Sequence, residues 1–573
     1  MKRRAVVAVA AWLLGSALWV TDAVAAASPL ALFEAPAAGA DARAAGGAHG
    51  RATVRQRAVT ARAGALTRED GSPALGAGDR LELNLFDDVS FTMTVTDVTR
   101  HLERGHSWSG TLDGVDLGTA VLAVHEGALV GQVVTPGAVY QIGHGSDGAQ
   151  IVQQIDTAAL PPEAPPVSTG QSVADAMRLG GESPDAAGDS AAQIDVMVLY
   201  TAAARTAAGG TAQIRAAIDL AVASANQAYA NNNLVQRLRL VYAGETSLIE
   251  TADFNATLNA LTASPVVGWL RDVTRADLVS LIVNHSSPQF CGLGFLLEAN
   301  STAFAPNGFS VVERICATSN LTFAHELGHN MGAHHDVYVA HSEHTVFPYS
   351  HGWVDLVGVG FRTIMAYVDQ CTVAGVSPCN RVQFFSTPNQ TQAGRPLGNA
   401  ATADNARTLG DTAANVANFR QALAPPVTIT TGVNQSSFSV GQTLVASVGL
   451  ASGGTAAGAA DVYLGLLLPN NSAVFFTDVT ITPTSGYVFG NILSFASYRP
   501  IATGVSLGTP FDASFPAFLS YQRSAGDPVG GLALFLLVTT PNALADGILS
   551  AHELLGASLT PFTFPAAALS DAP

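Results

Sequence analysis

The chain has 573 residues, more than one hydrophobic core organises, so three or four structural units are expected. Its formal net charge is −17, and Lys2 is the only lysine. No basic tract follows the N-terminal leader, which argues against nucleic acid as a partner.

Lys2, Arg3 and Arg4 precede an apolar run over residues 5–20, and Ala23-Val24-Ala25 offers small residues for cleavage. This pattern reads as a signal peptide, residues 1–25, and implies export to an oxidising compartment. No other stretch is apolar and long enough to span a bilayer. Residues 28–75 are rich in Ala, Arg and Gly and are expected to carry little fixed structure. Residues 81–98 alternate apolar and polar as paired strands do. Short strands are expected again at 111–113, 119–124 and 128–134, joined by Gly and Asp turns. Residues 26–160 thus form a β-rich unit whose position suggests a propeptide, a permanent accessory domain being the alternative. It contains no cysteine, so no thiolate from it can cap a metal. Residues 161–191 are rich in Pro, Ala, Gly and Ser and read as a linker open to cleavage.

From residue 194 the pattern changes. A buried strand is expected at 194–200, an alternating second strand at 235–242 and a third strand at 276–283, with a long helix at 211–230 and short helical pieces at 254–261 and 266–274. Residues 309–312 read as a candidate edge strand, and the helix 321–331 as capped by Ser319 or Asn320. Strands alternating with helices indicate an α/β layer.

That last helix carries the chemistry. His325-Glu326-Leu327-Gly328-His329-Asn330-Met331-Gly332-Ala333-His334-His335-Asp336 reads H-E-x-x-H-x-x-G-x-x-H-D. His325 and His329 lie one helical turn apart and face the same way. Gly332 sits where the chain must reverse, and glycine adopts a left-handed backbone at little cost. The reversal lets His335 add a third nitrogen. Three protein ligands leave the fourth position of one catalytic Zn2+ open to water, and Glu326 is placed to take a proton from that water. A bare H-E-x-x-H arises by chance on ordinary helices; the glycine and third histidine at fixed offsets set this stretch apart. Adjacent residues point in different directions, so His334 is expected to be solvated rather than a ligand.

The stretch resembles the zinc site of metzincin metallopeptidases. The resemblance implies that His325, His329 and His335 are ligands and that Glu326 is the base. Asp336 is as in the reprolysin branch. Thr363-Ile364-Met365-Ala366-Tyr367 is similar to the family's methionine turn, which places Met365 beneath the metal. Tyr367 is more typical of astacins and serralysins, where a tyrosine binds zinc or steadies the oxyanion. The mixture resembles bacterial peptidyl-Asp metallopeptidases. It implies a secreted endopeptidase acting on proteins or peptides, with a metzincin-like catalytic domain over residues 192–423. A structural Ca2+ is left open, since no residue pattern specifies one.

The four cysteines, Cys291, Cys316, Cys371 and Cys379, all fall in this region. Four cysteines allow three pairings. Short local loops favour Cys291 with Cys316 and Cys371 with Cys379. A four-thiolate zinc site is the alternative, although C-x-x-C spacing is absent. In metzincins the segment after the methionine turn walls the pocket for the side chain just beyond the cut bond. Here that segment carries Arg381, which is suited to pairing a substrate carboxylate, with Arg362 a competing candidate.

A closing helix is expected over residues 403–423. Beyond Pro425-Pro426, residues 427–573 are rich in Val, Thr, Gly and Ser, with recurrent strand-like runs, and suggest an immunoglobulin-like β-sandwich. His552-Glu553 repeats the start of the zinc motif, but Gly556 stands at the second ligand position. The expected architecture is multidomain. A secreted binding or adhesin protein with a degenerate site is the alternative function; Glu326 beside all three histidines argues against it.

Overall fold

The structure is a computed structural model. It describes residues 29–34, 52–102, 104–145, 148–170, 190–285, 288–340, 344–422, 425–482, 484–550 and 552–566. The leader and its cleavage site lie outside the described residues, as does 171–189 of the linker. The chain is multidomain and β-rich.

The N-terminal residues build a nine-stranded sheet. It runs antiparallel from Arg80–Phe86 through Val89–Arg100, Gly105–Leu112, Thr119–His125, Ala128–Val134, Val139–His144 and Gln150–Ile155 to Thr53–Ala58. Its two ends meet: the Arg57 guanidinium donates to the carbonyl of Leu85 at 2.6 Å. The inward residues, among them Leu83, Met93, Trp108, Leu122 and Val152, form one core. The expectation of little fixed structure before residue 75 fails for the described part. Leu30–Ala31 adds a parallel strand, and Leu32, Phe33 and Leu66 are buried in that core. Apolar side chains in an Ala-rich context are enough to recruit the segment.

The central sheet has the order Val167–Ser168, Gly292–Leu296, Phe309–Glu313, Leu278–Val283, Gln193–Tyr200, Arg237–Glu245. The last four are parallel, with crossovers through the helices Thr211–Asn231, Phe254–Ala263 and Pro265–Thr274. Gly292–Leu296 runs antiparallel to Phe309–Glu313 and lies outside it, so residues 309–312 are not the edge. The sequence reading missed this strand because its glycines, Gly292 and Gly294, lower strand propensity and read as a turn. Outside it again lies Val167–Ser168, from the expected linker. Residues 161–170 are therefore docked on the central sheet rather than free.

The N-terminal sheet packs on the outer face of the long helix. Val121, Ala123 and Val130 meet Ala216, Leu220 and Ala223. Asp219 of that helix accepts from the His125 ring at 2.9 Å and lies 3.8 Å from His101. C-terminally, a three-stranded sheet and a six-stranded sheet share a core containing Phe438, Leu444, Leu464, Leu534 and Phe562. The outer face of the larger sheet packs on the central domain, where Phe535 meets Trp269 edge to face. The closing helix, Asn405–Val416, is shorter than expected. No helix among the described residues is long and apolar enough to cross a membrane.

Asp219 is 1% exposed and receives its histidines from the N-terminal unit. Asp219→Ala is expected to cost about 1–3 kcal/mol in denaturant unfolding of the whole chain, the range for removing a buried acceptor. A change under about 0.5 kcal/mol, the scale of a neutral surface substitution, would contradict this docking.

Candidate active site

The helix Thr322–Asn330 lies against the strand Gly292–Leu296. Its start differs from expectation. Leu321 precedes it with φ of 56°, and no side chain caps it. Backbone carbonyls take over: Cys316 accepts from Thr322 N and Ala317 from Phe323 N. Asn320, an expected cap, turns its amide elsewhere, as described below. Asn330 ties the far end to two strands, donating to the carbonyls of Phe295 and Phe309 at 2.8 and 3.1 Å. Gly292 and Gly294 lie two apart on the strand face towards the helix. A Cβ on Gly292 would stand 2.5 Å from Glu326 Oε1, so glycine there makes room for the carboxylate.

Gly332 has φ of +89°, and the chain reverses at it as expected. His335 returns to the helix. The Nε2 atoms of His325, His329 and His335 form a triangle with sides of 3.0, 3.2 and 3.2 Å. Nitrogens about 2.0–2.1 Å from a tetrahedral metal stand roughly 3.3 Å apart, so the triangle fits such an ion. The His325 Nδ1–H donates to the Ile364 carbonyl and the His329 Nδ1–H to the Ala333 carbonyl, both at 2.9 Å. These bonds leave the Nε2 lone pairs free. Burial, with Arg381 adding to it, pushes the His325 ring down to about 3. Burial and the neighbouring rings push His329 and His335 well below the usual range. All three are thus neutral, the form that binds a metal.

Glu326 is fully buried, and neither of its oxygens has a hydrogen-bond partner among the described residues. Burial, reinforced by the Glu163 carboxylate, raises it well above the ordinary carboxylate range. An orphaned buried carboxylate beside three neutral imidazoles matches a place for a cation and a proton acceptor.

The expected supporting residues surround the triad. Met365 is fully buried, and a Cβ on Gly328 would stand 2.7 Å from its sulfur. Asp336 accepts from the amide of Tyr367 at 2.9 Å and from the side chain of Gln370 at 2.8 Å. The Tyr367 ring lies 4.1 Å from that of His335, and its hydroxyl donates to the Glu163 carbonyl at 2.9 Å. His334 is not solvated. It is fully buried, and its Nδ1 accepts from the amide of His335 at 2.7 Å.

Both favoured disulfides are present, with Cα separations of 5.5 Å for Cys291–Cys316 and 6.3 Å for Cys371–Cys379. The first ties the strand Gly292–Leu296 to the turn before the helix. Arg381 lies two residues past Cys379 and is only 2% exposed. It forms a two-point ion pair with Glu163. Arg362 is also buried and stands behind it, donating to Asn320 Oδ1 at 3.1 Å and to the Ala366 carbonyl at 2.9 Å. The sequence reading missed Glu163, Asn320 and Thr322. One available signal was the pair of double prolines, Pro161-Pro162 and Pro165-Pro166, that brackets Glu163 within the linker.

Residues 190–385 match the model of metallo-peptidase family M12, and residues 69–158 match that of the BamI lipocalin-like domain. A peptidyl-Asp metalloendopeptidase of Xanthomonas campestris is 34% identical over 370 residues, covering 61% of this chain and 84% of that protein. The chain belongs to the reprolysin-like metallopeptidases of family M12. A peptidyl-Asp metalloendopeptidase of Stenotrophomonas maltophilia is 32% identical over 323 residues, 53% of this chain and 72% of its own length. The chain is therefore a metalloendopeptidase, and its family implies a bound metal and protein substrates.

In this metallopeptidase Gly328 breaks an ordinary rule. Within a helix, Gly→Ala normally adds about 1 kcal/mol of stability. Here the added carbon meets the Met365 sulfur, so Gly328→Ala is expected to lower stability by about 1–3 kcal/mol, as overpacking does. Adding Met365→Ala should recover part of the loss. A higher melting temperature for Gly328→Ala alone would contradict the contact.

Proposed function

We propose that the protein is a secreted zinc endopeptidase that prefers an acidic residue just after the cut bond. Support comes first from the neutral Nε2 triangle of His325, His329 and His335 beside the buried, unpartnered Glu326. In this reading the three histidines hold one Zn2+. When bound, the metal supplies a Lewis acid that activates water and polarises the scissile carbonyl. Glu326 takes the proton released by the attacking water and hands it to the leaving amine. The Tyr367 hydroxyl, already facing a backbone carbonyl, steadies the carbonyl oxygen of the substrate as it gains charge. Met365, Asp336 and Gly332 hold the ligands in position.

The acidic preference draws on Arg381, whose buried guanidinium already engages a carboxylate, and on relatives named for action at Asp. The further domain reading is a signal peptide over 1–25, a β-rich propeptide over 26–160, a connecting segment over 161–191 whose residues 161–170 dock on the central sheet, a catalytic domain over 192–423 and a β-sandwich accessory domain over 427–573.

Glu326→Gln is expected to keep stoichiometric zinc and to lose at least about a hundredfold in casein hydrolysis, the usual scale for a general base. Near-normal activity would remove Glu326 from its role, and absence of zinc from the wild type would remove the metal reading. A peptide-library digest addresses specificity separately. Wild type should cut before acidic residues, and Arg381→Ala should lose that preference by roughly tenfold or more, as expected for a charge-assisted contact. A preference that survives the substitution transfers the role away from Arg381.

A further inference from the structure

The segment docked beside the histidine triad is built around one carboxylate. Glu163 is 4% exposed, although it lies in a stretch whose composition reads as linker. Its Oε1 accepts from Asn320 Nδ2 at 2.8 Å, from Thr322 Oγ1 at 3.0 Å and from Arg381; its Oε2 accepts from Arg381 at 2.8 Å. The donors are themselves held. Arg381 also donates to the Asn320 carbonyl at 2.8 Å, and Arg362 fixes the Asn320 amide from behind. Arg381, Asn320 and Thr322 thus form a buried cradle whose donors are held by their own hydrogen bonds. It gives a carboxylate four donor contacts, a set that a neutral amide cannot match, because the amide nitrogen would face further donors.

The backbone around Glu163 is docked as an added strand. Ala164 N donates to the Gly292 carbonyl at 3.0 Å, and Cys291 N donates to the Pro162 carbonyl at 2.8 Å. Val167–Ser168 then continues parallel to Gly292–Leu296. The double prolines on either side pre-set an extended conformation and reduce the ordering cost of docking. The register is what distinguishes this segment from a substrate. Cleavage before an acidic residue attacks the carbonyl of the residue preceding it. Here that carbonyl, on Pro162, is tied to the strand, and the carbonyl facing Tyr367 belongs to Glu163 itself. The acidic side chain fills the cradle while the carbonyl before it is held by the Cys291 amide and not by Tyr367.

We infer that Glu163 is a built-in pseudo-substrate. Its carboxylate occupies the specificity cradle of Arg381, Asn320 and Thr322 and keeps the uncleaved chain latent. The inference rests on the peptidase reading above and adds two specificity residues, Asn320 and Thr322, together with the means of latency. It requires no metal ligand from the prosegment, in keeping with the absence of any cysteine before Cys291.

The test uses the zinc-loaded, uncleaved full chain, with gels confirming that it stays uncleaved. Glu163→Gln keeps the shape of the side chain and Glu163→Ala removes it; folding of each is checked by thermal melting. Two readouts are taken. The first is hydrolysis of a quenched peptide with aspartate after the cut bond. The second is calorimetric binding of a blocked peptide with the sequence of residues 161–166, and of its Glu-to-Gln analogue. Both variants should hydrolyse roughly tenfold to a hundredfold faster than the uncleaved wild type, the factor set by losing a charge-assisted contact. Glu163→Ala should bind the Glu peptide at least about tenfold more tightly than the Gln analogue, and Arg381→Ala in that background should abolish the difference. Variants that fold but neither gain activity nor bind the peptide, while chain processed up to residue 189 is active, overturn the inference and leave the peptidase reading standing. If no form hydrolyses any peptide but the Glu peptide still binds selectively, the cradle stands and the peptidase reading fails.

Discussion

The centre of the molecule depends on how three imidazoles are desolvated together. His325, His329 and His335 bring their Nε2 atoms within 3.2 Å of one another in a buried place. Three protonated rings could not share that space, and three neutral rings with lone pairs converging there repel one another unless a cation lies between them. The surrounding structure exists to hold this arrangement. Carbonyls of Ile364 and Ala333 select the tautomers, Gly332 allows the chain reversal, and Asp336 anchors the turn that carries Met365 and Tyr367. The bonds to Ile364 and from Tyr367 join stretches more than thirty residues apart, so the ligand helix alone could not assemble the site.

The elements read best from sequence were those with strong local signals. Gln193–Tyr200 and Leu278–Val283 are continuous apolar runs, Thr211–Asn231 has a clear helical stripe, and Ala128–Val134 is bounded by turn residues. The metal motif was legible for the same reason: its spacing is local. What was missed is non-local. The strand Gly292–Leu296 is glycine-bearing because Glu326 needs the space, a demand set by a helix about thirty residues away in sequence. His334 appeared redundant beside His335, yet it is buried, and its Nδ1 supports the backbone of its neighbour. Asn320 resembled a helix cap but is recruited by Glu163, and nothing local distinguishes the two uses. Arg381 was noted as a lone cation, whereas its partner lies 218 positions away.

The N-terminal and C-terminal units share one design feature: each docks through a polar contact embedded in apolar packing. Asp219 receives histidines from the N-terminal sheet. Arg215, on the same helix, donates to the carbonyls of Ala243 and Pro561, both at 2.9 Å, and so joins the C-terminal sheet to the central one. One long helix therefore carries a contact to each unit, and the N-terminal unit also meets the segment that bears Arg381, where Thr119 Oγ1 donates to Gln383 Oε1 at 2.6 Å and Thr157 Oγ1 to Asn380 Oδ1 at 2.8 Å.

The central claim, a preassembled three-nitrogen metal centre, is tested most directly by zinc-edge X-ray absorption on the full-length chain. The account predicts three imidazole nitrogens at about 2.0–2.1 Å with any further ligand a light oxygen or nitrogen atom. Sulfur at about 2.3 Å, or fewer than three imidazoles in the first shell, would contradict it.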